Sequence, residues 1–167
     1  MTDMPAPPPS PGGIGREKAE IGARVLARII DWAIGAAVFI PIWIVSIILG
    51  QISGALGLLF FIVGALAAIA FFVYIFMWGL GETGQTPGKR VQGVAVLDAN
   101  TGQVIGGPKG IGRELLNGII NSFCYIGYIW AFIDPENQAL YDKAITANAY
   151  KAEKGSIMPI FPGGTPF

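Results

Sequence analysis

Two apolar runs, residues 25–49 and 55–80, leave this chain few ways to fold. Each exceeds the roughly 20 residues an α-helix needs to cross a hydrocarbon core of about 30 Å. The turn between them (Gly50, Gln51, Ser53, Gly54) is short and uncharged, so the pair is predicted to form an antiparallel transmembrane hairpin. Pro41 lies inside the first run and should kink it, with neighbouring helices satisfying the freed carbonyl. One residue defies its surroundings. Asp31 sits about two helical turns inside the first run, where a carboxylate at a helix centre costs about 2.5–3.5 kcal/mol.

Arg24 and Arg28 precede Asp31 on the same helical stripe, at i−7 and i−3. Their long stems can reach the headgroup layer while the guanidinium groups stay near the carboxylate. Spacing leaves three readings open. The cluster is a packing lock that fixes helix register, a cation- or proton-binding carboxylate coupled to helix packing, or an arginine site for lipid headgroups.

Composition supports the membrane class. The chain is 53% hydrophobic and 13% charged, against about 25% charged in an average soluble domain, and its mean hydropathy is +0.57. Eleven basic residues balance eleven acidic ones, so no global field draws nucleic acid. There is no histidine, which removes the usual metal ligand, the neutral-pH proton shuttle and an ordinary hydrolytic triad. An enzyme, a cofactor and a metal centre are therefore not expected. The single cysteine, Cys124, lies in an apolar segment and reads as a structural thiol. No secretory signal is expected either, because the first apolar run is too long for a cleaved segment.

Residues 1–20 open with MTDMPAPPPSPGGIG, a proline- and glycine-rich tail that cannot bury enough surface to fold and favours polyproline geometry. Residues 16–23 read as a polar, helix-forming lead-in. Between 81 and 112 the chain turns polar. There VQGVAVLD alternates apolar positions at Val91, Val94, Val96 and Leu97, and Asn100–Thr101–Gly102 forms a turn into QVI. A short β-hairpin or β-like loop outside the bilayer is predicted. A third apolar segment, 114–133, contains Asn117, Gly118, Asn121, Ser122 and Gly127. It is either a single crossing or a re-entrant hairpin. Residues 151–167 read as a flexible C-terminal tail.

Arg16, Lys18, Arg24 and Arg28 precede the first span, and Lys89, Arg90, Lys109 and Arg113 follow the second. The positive-inside rule therefore places the N-terminus and the 81–113 loop in the cytoplasm. The side of the C-terminus stays open. GETGQTPGKR contains a Gly-Lys pair, but Arg90 follows Lys89 where a phosphate-binding loop needs Ser or Thr, and a membrane helix precedes it. The stretch reads instead as a tight turn whose Lys89 and Arg90 meet anionic headgroups near an interfacial Trp78. Small residues at Gly50, Gly54, Gly57, Gly64, Ala65 and Ala68 are compatible with close helix contact. Asp134, Glu136 and Asp142 read as a solvated acidic cluster rather than a metal site.

Three fragments, in order, carry a resemblance. ARVLARIIDW (23–32), GQTPGKRVQGVAVLDANTG (84–102) and IDPENQALYDKAITAN (133–148) resemble the RDD family of small bacterial membrane proteins, named for one arginine and two aspartates. The resemblance places the family's arginine at Arg24, its aspartates at Asp31 and Asp142, and its glycine-rich turn at Gly84, Thr86, Pro87, Gly88 and Lys89. Arg28 stands where similar proteins often carry an uncharged residue, and PENQ at 135–138 is less basic than expected. Transport of ions or small ligands is suggested for some members. If Asp142 joins Arg24 and Asp31, the 114–133 segment must be re-entrant; a single crossing would put Asp142 on the opposite side.

The expectation is thus an all-α membrane protein of the bacterial cell membrane: a small bundle over residues 21–150 with two spans and a cytoplasmic polar loop. Its function is expected to be binding or moving a small cation or ligand through Arg24, Asp31 and Asp142, with Arg28 as counter-charge. The alternative is a non-catalytic accessory or assembly subunit. Expected partners are membrane lipids and a homo-oligomer or larger membrane complex.

Overall fold

The computed structural model describes residues 17–122, 126–135, 138–152 and 154. The proline-rich stretch, Cys124, Glu136 and most of the C-terminal tail lie outside the described residues. Helix α1 (Ile21–Ile52) is 32 residues long, about 48 Å at helical rise. Ser53 alone, in extended backbone, separates it from α2 (Gly54–Phe72). The second helix runs on through a π-helical stretch, Val73–Trp78, into α3 (Gly79–Thr83). Gly54–Thr83 thus forms a second continuous rod of 30 residues. Both rods cover the predicted spans and overrun them by a few residues, and α1 remains helical through Pro41.

Only 11% of the most apolar stretch of each rod is buried within the protein. Leu26, Ile48, Leu58 and Leu66 are among many large apolar side chains that face outward. Such a surface is favourable against hydrocarbon and unfavourable against water. The two helices pack on each other through aromatic rings: Phe39 lies 6.0 Å from Phe72, which stacks on Phe76 at 4.6 Å.

The polar end is built differently. Helix α4 (Pro87–Gln92) leads into β1 (Val94–Asp98), which is buried on both faces. Hence its near-continuous apolar run VAVL. The turn at Asn100–Gly102 forms, with Asp98 Oδ1 accepting the N–H groups of Asn100 (3.0 Å) and Thr101 (3.1 Å). The strand that pairs with β1 is not QVI, however. It is β2 (Ala147–Lys151), antiparallel, with Val94 opposite Lys151 and Asp98 opposite Ala147. On the other edge of β2, the Ala19 N–H donates to the Ala149 carbonyl (2.9 Å), and Lys151 N–H to that of Glu17 (2.8 Å). The lead-in before Ile21 is therefore partly extended rather than helical, because it completes this small sheet.

The third apolar segment holds two described helices, with residues 123–125 outside the described residues. Helix α5 (Gly107–Ser122) begins seven residues before the predicted start, and α6 (Ile126–Ile133) has eight residues. At about 24 and 12 Å neither can cross a 30 Å core. The chain then passes through α7 (Leu140–Ala144), which packs on both α5 and α6. Asp142 on α7 thereby returns to Arg113 on the first half of α5, at 2.6 Å. Among the described residues, two helical rods are long and apolar enough to cross a membrane.

Candidate functional site

The junction of α1 with α4 explains how Asp31 is tolerated. Gly84, at φ +73°, closes α3 in the left-handed region that glycine adopts freely. The chain then restarts as TPGK. Thr86 is the N-cap of α4, its hydroxyl accepting the Lys89 N–H at 3.3 Å, and Pro87 occupies the first helical turn, where its missing N–H costs nothing. This leaves the Gly88 N–H and the Thr86 O–H pointing outward. Asp31 receives both: Thr86 donates to Oδ2 at 2.6 Å and Gly88 to Oδ1 at 2.7 Å. The carboxylate is 2% exposed, and such charge-assisted bonds are the strong ones. Gly88 lies so close to α1 that an added Cβ would collide with the Ala27 carbonyl oxygen and stand 2.7 Å from Asp31 Oδ1.

A second set of charges runs beside it. Both terminal nitrogens of Arg28 donate to Glu114 Oε2, each at 3.0 Å. Arg113 donates to Glu114 Oε1 (2.5 Å) and to Asp142 Oδ1 (2.6 Å), with its guanidinium 4.9 Å above the Tyr141 ring. Asn117 donates to Glu114 (2.9 Å), and Asn121 in turn to Asn117 (2.5 Å). Arg24 donates to the Ala149 carbonyl at 3.1 Å, tying α1 to the sheet. Lys89 is buried, its Nζ 3.5 Å from Thr86 Oγ1. Burial pushes its pKa down to about 8; Glu114 pulls it back up, while Arg28 and Arg113 push it lower.

Arg28, Asp31 and Glu114 floor a cleft of about 600 Å³ between α1, the second rod and α5. Arg28, Asp31, Glu114, Asn117 and Asn121 form its polar part; Val25, Ile29, Trp32, Phe72, Phe76 and Met77 form apolar walls. The π-helical stretch supplies both Phe76 and Met77 to that wall, a local widening of the kind that recurs at functional sites. A concave apolar space with a few convergent polar groups is the usual form of a small-ligand site.

The structure brings Asp31, Thr86, Gly88 and Lys89 together as one junction. It places Arg24, Arg28, Lys89 and Asp142 around one small enclosed cavity. Gly84 and Pro87 shape the turn without facing the cleft. Asp31 takes its two hydrogen bonds from the turn at 86–88, not from the arginines upstream on α1 as the stripe predicts. Lys89 faces the protein interior rather than lipid headgroups. Asp134 and Asp142 are not a solvated cluster either. Both are buried and take separate partners, Asp134 meeting Lys143 at 2.7 Å. Sequence reasoning missed Arg113 and Glu114. Their signal was a polar stripe at the start of an apolar segment: Glu114, Asn117 and Asn121 recur at i, i+3 and i+7, on one helical face.

Comparison with known proteins adds three findings. The profile of the RDD family matches residues 18–146. The "Proline-rich antigen" of Mycobacterium leprae (strain TN) is 33% identical over 91 residues, which is 54% of this chain and 36% of that protein. The "Proline-rich antigen homolog" of Mycobacterium tuberculosis, in strains CDC 1551 / Oshkosh and H37Rv, is 26% identical over 141 residues, 74% of this chain and 59% of that protein. The chain thus spans 36% to 59% of the length of these relatives. No solved structure matches it significantly.

Proposed function

This chain belongs to the RDD family of integral membrane proteins, and from that premise we propose that it binds a small cation or cationic ligand in the cleft and moves it across the membrane. The observation that carries the reading is the cleft itself: about 600 Å³ of space with the Asp31 and Glu114 carboxylates on its floor, beside a spanning hairpin. Ionisable groups at membrane depth are costly and usually mark an ion or substrate path.

The geometry supplies a coupling. Asp31 both lines the cleft and holds α4 against α1. A cation arriving at Asp31 competes with the Thr86 O–H for Oδ2, so occupancy and the α1–α4 junction are thermodynamically linked. Arg28 balances Glu114 when the cleft is empty and yields part of that interaction when a cation enters. Two spans cannot enclose a polar path alone, so transport requires association of several copies. The positive-inside rule favours a cytoplasmic N-terminus and polar end.

Cation flux into proteoliposomes tests the reading. Asp31→Asn keeps the junction, because the Asn oxygen still accepts from Gly88 and the Thr86 hydroxyl can reverse to accept from the Asn amide. It removes the charge, so flux should fall to background while the helical content is unchanged. Flux equal to wild type in Asp31→Asn and Glu114→Gln, or no wild-type flux across the alkali cations and protons, would refute it.

A further inference from the structure

We infer that the cleft takes an amphiphilic organic ammonium, an amine head on an apolar body, in preference to a bare metal ion. The positive sign of the head rests on the reading proposed above; the shape and chemistry of the walls supply the rest. An alkali ion stripped of its water needs oxygens arranged around it. Here Asp31, Glu114 and Asn121 offer oxygen, whereas Trp32, Phe72, Phe76 and Met77 turn apolar surface toward the same space. A volume of about 600 Å³ far exceeds what one such ion fills and lies in the range of sites that hold drug-sized molecules. The Phe72–Phe76 stack, with centroids 4.6 Å apart, belongs to the apolar wall and suits an aryl body.

Two groups on the polar side define where the ends of the ligand go. Asp31 Oδ1 and Oδ2 each receive one bond, from Gly88 and Thr86. A carboxylate oxygen has a second lone pair, so acceptor capacity remains for an ammonium N–H. The other group is Asn121, at the end of a ladder of amides whose direction Glu114 fixes. A carboxylate only accepts, so Asn117 turns its Nδ2 toward Glu114, and the Asn117 Oδ1 then takes the Asn121 Nδ2. What remains is Asn121 Oδ1, buried and without a hydrogen-bond partner among the described residues. Flipping that amide would only set two oxygens face to face. A buried acceptor left in this way is costly. A ligand that parts the covering side chains and brings an N–H or O–H to it removes the cost. Asn121 therefore selects for a second donor on the body of the ligand, away from the ammonium.

The test is calorimetric titration of the full chain in nanodiscs of zwitterionic lipid at pH 7, corrected against empty nanodiscs. The probes are tyramine, phenethylamine, which lacks the hydroxyl, and 4-ethylphenol, which lacks the amine. Both amines should give saturable heat and 4-ethylphenol none. Tyramine should bind about five-fold tighter than phenethylamine, the worth of one hydrogen bond. Asp31→Asn should weaken both amines about ten-fold or more; Asn121→Leu should erase only the advantage of tyramine. No saturable heat from either amine overturns the inference. So does 4-ethylphenol bound as tightly as tyramine, which would make the cleft a site for neutral alcohols, and so does a tyramine advantage that survives in Asn121→Leu. Should Asn121→Leu fail to fold, the ranking of the three probes in the wild type decides alone. Alkali-cation or proton flux without amine binding overturns the ligand class and leaves transport standing; amine binding without flux does the reverse.

Discussion

Gly88→Ala is the sharpest perturbation of the junction that holds Asp31. The added methyl would collide with the Ala27 carbonyl oxygen and stand 2.7 Å from Asp31 Oδ1. Neither neighbour can move cheaply: one is helix backbone, the other is held by two hydrogen bonds. Helix α4 must therefore back away from α1, lengthening or breaking the 2.7 Å bond from Gly88 to Asp31. Overpacking of this kind costs about 1–3 kcal/mol. Losing a hydrogen bond to a buried charge adds about 1.5–3 kcal/mol. Because one movement relieves the first while causing the second, the two are not additive, and about 3–4 kcal/mol is expected. Gly112→Ala is the control, a helical position on α5 with nothing within 4 Å of the new carbon. It should stabilise by about 0.5–1 kcal/mol. The assay is thermal or denaturant unfolding of both variants in the same nanodiscs. If Gly88→Ala is as harmless as Gly112→Ala, α4 does not rest on α1 as described, and the account of how Asp31 is tolerated fails.

Other outcomes follow from the same contacts. Arg28→Met leaves Glu114 short of a partner and should destabilise by about 2–3 kcal/mol, discounted because Arg28 is partly exposed. The double variant with Glu114→Gln should recover part of this, and strictly additive unfolding energies would rule out the pair. Lys89 has a folded pKa of about 8, below its unfolded value of 10.5. Between those two the unfolded chain binds the extra proton, so stability rises with pH, by at most about 3 kcal/mol. Unfolding from pH 7 to 10.5 should show this rise in the wild type relative to Lys89→Met, and an identical pH profile for both would refute it. Asp98→Ala removes two turn-closing bonds and should cost about 1 kcal/mol in unfolding experiments without altering flux. Native mass in mild detergent should give a homo-oligomer; a strict monomer would refute transport by association of copies, and a stable assembly with other proteins would favour an accessory role.

The spanning hairpin was legible because hydropathy over 20 or more residues is a local, additive property. So was a strand within VQGVAVLD, from its alternating apolar positions. The pairing of charges was not. Asp31 and Arg28 are neighbours along one helix, yet the donors that reach Asp31 lie 55 and 57 residues away, and Glu114, which meets Arg28, lies 86 away. A helix stripe shows which groups share a face, but desolvation rewards whichever partner brings directed donors to each oxygen, and the start of α4 brings two, the Thr86 hydroxyl and the Gly88 N–H. Likewise β1 advertised a strand without saying that β2, some 50 residues on, would complete it. The sequence by itself determined that this chain lies in a membrane and which residues are too polar to lie there unaided. Only the tertiary structure decided their partners, because burial energies depend on three-dimensional neighbours that no local spacing encodes.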